Sequence, residues 1–462
     1  MEGSIHSDTI AAISTAVGNA GISIIRISGP RAFIVAAKVF RGKADFLEYP
    51  SHTIHYGKIV DPEKNEIIDE ILISKMNGPK TYTAEDTVEI NCHGGYVTAS
   101  RILELLYRHG IRPAEAGEFT KRAFLNGRLD LVQAEAVMDL ISSRTDKGST
   151  VAVSQLEGRL SLEIGEVWRV LIDLLAEIEV NLDYPEYDFE EVTLKKCKGI
   201  IAQCIGKLEK LIQSFHYGKI LREGMEVAII GKPNAGKSSL LNRLSRKNRA
   251  IVTDIPGTTR DILEEYVNIQ GLPIKLVDTA GLRETEDQVE RMGVEKALDV
   301  IQSADLILFI LDAWSGFEKE DEQILKTVAG YEGKTLYIIN KTDKTDEGRL
   351  MEIRDKIPVA IEISVLEDSG IHVLESEIHH YVNKNDLDTD NQVLVTNARH
   401  KQLLASSLEG LQSALRLAEE AMTLDILAME IKSAAEKLGF ITGHEVSEEV
   451  VMNIFERFCV GK

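Results

Sequence analysis

Three textures follow one another along the chain. Over roughly the first 120 residues, short β-rich runs (Ile22–Ile27, Ile67–Ser74, Thr87–Asn91) alternate with helical runs (Ala32–Val39, Val97–Arg108), predicting a mixed α/β region. From Thr120 the spacing turns helical. Leu129, Val132, Ala136 and Leu140 recur at helix intervals, and Ile164, Val167, Leu171, Leu174, Ile178 and Leu182 mark a second, longer helix. The run Tyr184–Asp188 stops it, because Pro185 lacks the N–H that a helix interior needs.

At Met225 the pattern changes again. Apolar strands (Val227–Ile230, Ile274–Val277, Leu306–Leu311, Thr335–Ile339, Val359–Ile363) alternate with helices, implying a mostly parallel sheet covered on both faces. The polar stretch from Asn383 to Gln392 reads as a linker. Beyond it, Leu403, Leu411, Leu415, Met422, Ile426 and Ile431 give helical texture to the end. The economical arrangement packs the helices before and after the α/β segment together, with that segment inserted between them. The expected limits are 1–119, 120–222, 223–383 and 384–462, and the sequence shows no internal repeat or low-complexity segment.

Length and charge narrow the class. A chain of 462 residues is too long for one ordinary core, and 44% hydrophobic with 27% charged residues is a globular composition. The net charge is −21, which argues against broad nucleic-acid binding, since phosphate affinity comes mainly from Lys and Arg. Any RNA contact is therefore expected on one face or shared with a partner, and DNA is not expected. Cys92, Cys197, Cys204 and Cys459 lack disulfide or zinc spacing. The N-terminus has no signal-peptide pattern and no apolar run approaches the roughly 18–20 residues of a membrane span, so the expected location is cytoplasmic.

The chemistry is concentrated in the third texture. Gly231-Lys232-Pro233-Asn234-Ala235-Gly236-Lys237-Ser238, followed by Ser239, fits the P-loop pattern between an apolar strand and a helix. In such a loop backbone N–H groups wrap the phosphates, Lys237 reaches the β- and γ-phosphates, and the Ser238 hydroxyl binds Mg²⁺. Asp278-Thr279-Ala280-Gly281 ends a strand and puts a carboxylate near the metal. Asn340-Lys341-Thr342-Asp343 follows another strand, and Asp343 can accept from guanine N1–H and the 2-amino group, a donor pair that adenine lacks. Gly257-Thr258-Thr259-Arg260-Asp261 lies between the P-loop and Asp278, where a switch threonine completes the Mg²⁺ shell, and Thr253, Asp254, Ile255 and Pro256 before it are expected among the GTP contacts. Four elements in this order predict GTP binding and hydrolysis. A base-backing loop is weaker, with Ile363-Ser364-Val365 where Ser-Ala is usual.

Two departures sharpen the mechanism. Ras-like proteins carry a water-orienting glutamine directly after Asp-x-x-Gly, but here Leu282 stands there and cannot orient water. Glu284 is the nearest group that can. Asn234, beside the phosphates, can ligate a monovalent cation that supplies the charge an arginine finger supplies elsewhere, so potassium-stimulated hydrolysis is expected.

The motifs Gly231–Ser239, Gly257–Asp261 and Asp278–Glu284, together with Gly117–Asp130 (GEFTKRAFLNGRLD) and Phe458–Lys462 (FCVGK), resemble the MnmE family, also called TrmE, of tRNA modification GTPases. Arg26–Gly29 and Cys92–Gly95 extend the resemblance to the N-terminal region, so it spans the chain. It implies an N-terminal α/β domain that binds a formyl-tetrahydrofolate and forms a homodimer, and a helical domain carrying an inserted G domain with a doubly wound sheet. It also implies a heterotetramer with the FAD-containing MnmG. That assembly would add an aminomethyl or carboxymethylaminomethyl group to the wobble uridine (U34) of certain tRNAs, the tRNA being shared with MnmG.

Carried over residue by residue, the resemblance puts potassium on Asn234, Thr253, Ile255 and Thr258, magnesium on Ser238 and Thr259, and catalysis on Glu284. Folate contacts fall on Arg26, Glu89, Arg128 and Lys462. Read alone, each of these charges is a surface charge. Paired with the resemblance they make sense: a carboxylate such as Glu89 can pair with the amino–imino edge of a pterin, and the glutamate tail needs cations. Cys459 reads as a small, partly buried thiol, because no base motif lies beside it. A ribosome-assembly GTPase switch is the competing function; the large N-terminal domain and the Cys459–Lys462 tail count against it.

Overall fold

The computed structural model describes residues 8–16, 18–183, 190–247, 265–278, 300–383, 392–420, 422–444 and 446–461. Its N-terminal region is built on seven strands: β1 (Ile10–Ile13), β2 (Ile22–Ser28), β3 (Phe40–Gly42), β4 (Thr53–Asp61), β5 (Glu66–Met76), β6 (Thr87–His93) and β7 (Arg112–Pro113). They lie in the order β3-β4-β5-β6-β2-β1-β7, and every pair is antiparallel except β1 with β7. Helices α1 (Ala32–Val39) and α2 (Tyr96–Arg108) cover one face, where Val35, Ile102 and Leu105 pack on Ile25, Ile73 and Ile90. The β4–β5 hairpin leaves Ile54, Tyr56 and Leu72 exposed, with Tyr56 paired directly across from Leu72. The sequence reading did not single out β1 or β4; β4 is half solvated, so its apolar residues alternate with polar ones and leave no continuous run.

Helices α3 (Glu118–Leu125), α4 (Leu131–Ser142), α5 (Asp146–Leu156), α6 (Arg159–Asp183), α7 (Glu190–Gln213) and α8 (Phe215–Glu223) follow. The α6 stripe Ile164, Val167, Leu171, Leu174 and Ile178 is buried as the spacing predicts, but Leu182 is exposed near the helix end. Leu129 lies outside α4. Asp130 starts that helix with a capping box, accepting from the Gln133 N–H at 2.9 Å while the Gln133 side chain accepts from the Asp130 N–H at 3.0 Å.

A second sheet then forms from β8 (Met225–Ile230), β9 (Glu265–Ile269), β10 (Leu272–Asp278), β11 (Leu306–Asp312), β12 (Thr335–Asn340) and β13 (Ile361–Glu362). Its order is β13-β12-β11-β8-β10-β9, parallel throughout except for the β9–β10 pair. Helices α9 (Lys237–Lys247), α10 (Lys319–Val328), α11 (Glu347–Lys356) and α12 (Ile371–Val382) complete two apolar layers, one on each face. The expected strand Val359–Ile363 shrinks to two residues. Val359 follows Pro358 and is 83% exposed, off the sheet edge.

The chain closes with α13 (Ala398–Glu419), α14 (Leu424–Thr442) and α15 (Glu448–Phe455), and Met422 lies between α13 and α14 rather than within a helix. One core joins Leu171 of α6, Ile201 and Leu208 of α7, Leu411 of α13 and Ile431 of α14. The helices flanking the second sheet therefore do share a single hydrophobic interior, and the nucleotide-motif segment is inserted between them. After α15 the tail returns to the N-terminal sheet. The Gly117 N–H donates to the Cys459 carbonyl at 3.3 Å, Ala116 bridges Val460, and the Ser14 hydroxyl donates to the Gly461 carbonyl at 2.9 Å. No helix of the described residues is long and apolar enough to cross a membrane.

Candidate functional site

Parallel strands with helices on both faces gather loop residues at their C-terminal edge. Here β8 runs into residues 231–236 and α9 begins at Lys237, so the phosphate-loop motif sits at the centre of that edge. Gly236 adopts φ +104, and a Cβ there would collide with the Asn340 amide, so only glycine lets the two loops approach. Asn234 also has positive φ, 63°, and stands exposed, as do Ser238 and Ser239, whereas Ala235 is buried. The Lys237 ammonium rests on the loop's own carbonyls, Gly231 at 2.7 Å and Lys232 at 2.8 Å.

The guanine motif is tied to this loop. Asn340, at the end of β12, donates through its side-chain amide to the Ala235 carbonyl at 2.9 Å and accepts from the Val365 N–H at 3.3 Å. Lys341 donates to the Asn234 carbonyl at 2.7 Å and to Asp312 at 2.6 Å. Asp343 accepts from the buried Ser364 hydroxyl at 2.7 Å. The base-backing loop that looked irregular in sequence thus supplies a donor that orients the carboxylate expected to read the base. Asp312 was missed; its only signal was a charge ending the apolar run Leu306–Leu311.

Asp278 ends β10, beside β8. Thr253, Asp254, Ile255, Pro256, Gly257, Thr258, Thr259, Thr279, Ala280, Gly281 and Glu284 lie outside the described residues, as does Lys462.

The N-terminal candidates converge. Arg26 of β2 and Glu89 of β6 are register partners and form an ion pair at 2.9 Å. The Arg26 and Arg128 guanidiniums lie over the ring of Tyr82, 5.2 and 5.0 Å from its centroid, and Arg128 also donates to the Tyr82 carbonyl at 3.1 Å. The Tyr82 hydroxyl meets the Thr120 hydroxyl at 2.9 Å, and burial pushes its phenol pKa up. Tyr82 sits in the β5–β6 connection, where no periodic pattern could mark it. Beneath the cluster, fully buried Arg122 pairs with Asp8, Glu85 and Glu118. These pairs fix α3 against the sheet.

Cys459 corrects an expectation, because its side chain is exposed rather than partly buried. Phe458 turns into the core, whereas Cys459 and the bridged Val460 both face outward.

Comparison with known proteins agrees over the whole chain. The family model described as the MnmE helical domain matches residues 131–459, and that of the GTP-binding protein TrmE N-terminus matches residues 9–128. A tRNA modification GTPase MnmE from Acetivibrio thermocellus is 51% identical over 98% of this chain and 99% of its own. Those of Alkaliphilus metalliredigens and Oceanobacillus iheyensis are 49% and 47% identical over 98% and 99% of this chain, and over 99% and 100% of their own. A solved structure of Era from Aquifex aeolicus is 29% identical, covering 40% of this chain and 66% of that one, with a TM-score of 0.29. With its nucleotide loops at one sheet edge and full-length identity near one half, the chain belongs to the MnmE family of tRNA modification GTPases.

Proposed function

We propose that this GTPase hydrolyses GTP with potassium stimulation and, with a flavin-containing MnmG partner, takes part in modifying C5 of the wobble uridine of certain tRNAs, aminomethyl or carboxymethylaminomethyl being the group added. The observation that carries the reading is the Arg26–Glu89–Tyr82–Arg128 cluster, on the same chain as a phosphate loop tied to a guanine motif. An assembly switch has no use for such a cluster. A carboxylate beside two guanidiniums and an aromatic ring matches a folate, whose pterin offers paired donors and a stacking face and whose tail is anionic. Bound there, a formyl-tetrahydrofolate would supply a one-carbon unit, and Lys462 is proposed as a further contact.

In the G domain, Ser238 and Thr259 are proposed as magnesium ligands, and Asn234, Thr253, Ile255 and Thr258 as potassium ligands. Hard oxygen donors suit both ions. Exposure of Asn234 at the phosphate loop supports that reading. Glu284 is proposed to orient the attacking water, since Leu282 cannot. We further propose the domain limits 1–119, 120–222, 223–383 and 384–462, a cytoplasmic location, and homodimerisation through the exposed apolar face of Ile54, Tyr56 and Leu72.

The test is mass spectrometry of tRNA nucleosides from cells lacking this protein. A modified wobble uridine should disappear and return with the wild-type copy but not with Glu284→Ala. An unchanged nucleoside profile would overturn the tRNA chemistry and leave the GTPase in place. Equal hydrolysis rates in sodium and potassium would remove the cation proposal.

A further inference from the structure

Lys232, the second residue of the phosphate-loop motif, has no part in the nucleotide contacts derived above, yet with Lys75 it is one of two buried lysines among the described residues. Its side chain is 5% exposed and its ammonium makes three hydrogen bonds: to the Gly316 carbonyl at 3.0 Å, to Glu318 at 2.8 Å and to Asp321 at 3.0 Å. An ammonium has three N–H donors, so this one is fully satisfied away from water. Asp321 is completely buried, and the same carboxylate oxygen accepts from the Glu318 N–H at 3.0 Å, fixing the start of α10. A buried ion pair of this kind contributes little net stability against an apolar substitute and is better suited to fixing one arrangement.

What it fixes is the other half of the site. Gly316 and Glu318 lie on the β11–α10 connection and Asp321 in the first turn of α10; the connection leaves β11 at that strand's last residue, Asp312. That carboxylate accepts from the Trp314 N–H at 2.9 Å and from Lys341 of the guanine motif at 2.6 Å. The Ala313 N–H donates to the Asn340 carbonyl at 2.9 Å, and the Thr345 hydroxyl to the Ala313 carbonyl at 3.0 Å. One connection is therefore bolted to the base-reading loop at its start and to the phosphate loop at its end. The Lys232 backbone carbonyl is meanwhile a seat of the Lys237 ammonium. Moving Lys232 would move the group expected at the β- and γ-phosphates.

We propose that Lys232 is a positioning residue for nucleotide binding, holding the phosphate loop in register with the guanine loop through the β11–α10 connection. It touches neither base nor phosphate; it sets the distance between the groups that do.

The experiment measures GDP affinity by calorimetry and the β-phosphate ³¹P resonance of bound GDP, on the full chain at a temperature where circular dichroism shows it folded. Lys232→Met is expected to weaken GDP binding about tenfold, the size of an ordinary coupling between two sites, and to shift the resonance. Lys232→Arg restores binding to within about threefold, because a cation still reaches the acceptors. Glu318→Gln, at a half-exposed position, keeps the expectation testable should Lys232→Met not fold. It should weaken binding about threefold, and its effect should be non-additive with Asp312→Asn. GDP affinity within about twofold of wild type and an unshifted resonance in the folded variants, with only the melting temperature lowered, would overturn the proposal, as would strict additivity of Glu318→Gln with Asp312→Asn.

Discussion

The Ser364 hydroxyl donates to Asp343 Oδ1 over 2.7 Å and also accepts from the Glu367 N–H at 3.1 Å. A single buried side chain therefore links the carboxylate proposed to read the base to the loop behind it. Removing that donor leaves Asp343 free to rotate away from the guanine edge. Ser364→Ala is expected to weaken GDP binding by about 1 kcal/mol, roughly fivefold, while the fold persists. Calorimetric titration with GDP and ADP checks it: discrimination between the two nucleotides should narrow.

Acid stability should depend on Glu135. It reaches from α4 to α13, accepting from Arg399 and meeting His400 Nε2, both at 2.7 Å. Burial alone would raise its pKa, but His400 and Arg399 more than offset that and bring it from 4.5 to about 2. A depressed carboxyl stabilises the fold at pH above its unfolded value. The contribution, on the order of 3 kcal/mol, is lost as pH falls from about 4.5 towards 2. Nearby Asp139 works the other way, since burial raises its pKa. Glu135→Gln should thus flatten the steep part of the urea midpoint plotted against pH in that window, whereas an unchanged slope would count against the ion pair.

Leu411 of α13 is fully buried in the core shared with α6, α7 and α14. Leu411→Ala should cost about 2–5 kcal/mol through lost burial and a cavity. Hydrogen exchange should then accelerate in α6 and α7 as well as in α13 and α14. Exchange confined to the C-terminal helices would mean that the two flanking segments are not one cooperative unit.

Gly461 has φ +96, and a Cβ there would collide with the Ile13 carbonyl. Gly461→Ala should therefore detach the tail from β1, at a cost of about 1–3 kcal/mol of local strain. A fluorophore on the exposed Cys459 thiol should lose anisotropy in this variant while GTP turnover holds. The buried thiols should label more slowly, since burial lifts Cys92 and Cys197 to about 11.

Local chemistry alone determined much of this protein. The strands β8, β10, β11 and β12 show as apolar runs because both sheet faces are covered, and the α6 stripe shows because a helix buries every third or fourth residue. The phosphate loop and guanine motif are legible because the groups expected at the nucleotide stand close together in the chain. Half-solvated strands such as β4 were not, nor the outward turn of Cys459, since register and pairing decide which way a side chain points. Lys232, Asp312 and Ser364 lie as much as 132 residues apart in sequence, yet belong to one framework around the nucleotide loops. Tyr82 and Arg128 meet only once α3 docks on the sheet. The sequence named the groups expected to face a nucleotide. Tertiary packing alone chose the groups that hold them in place, because a hydrogen bond between distant residues leaves no periodic trace in the chain.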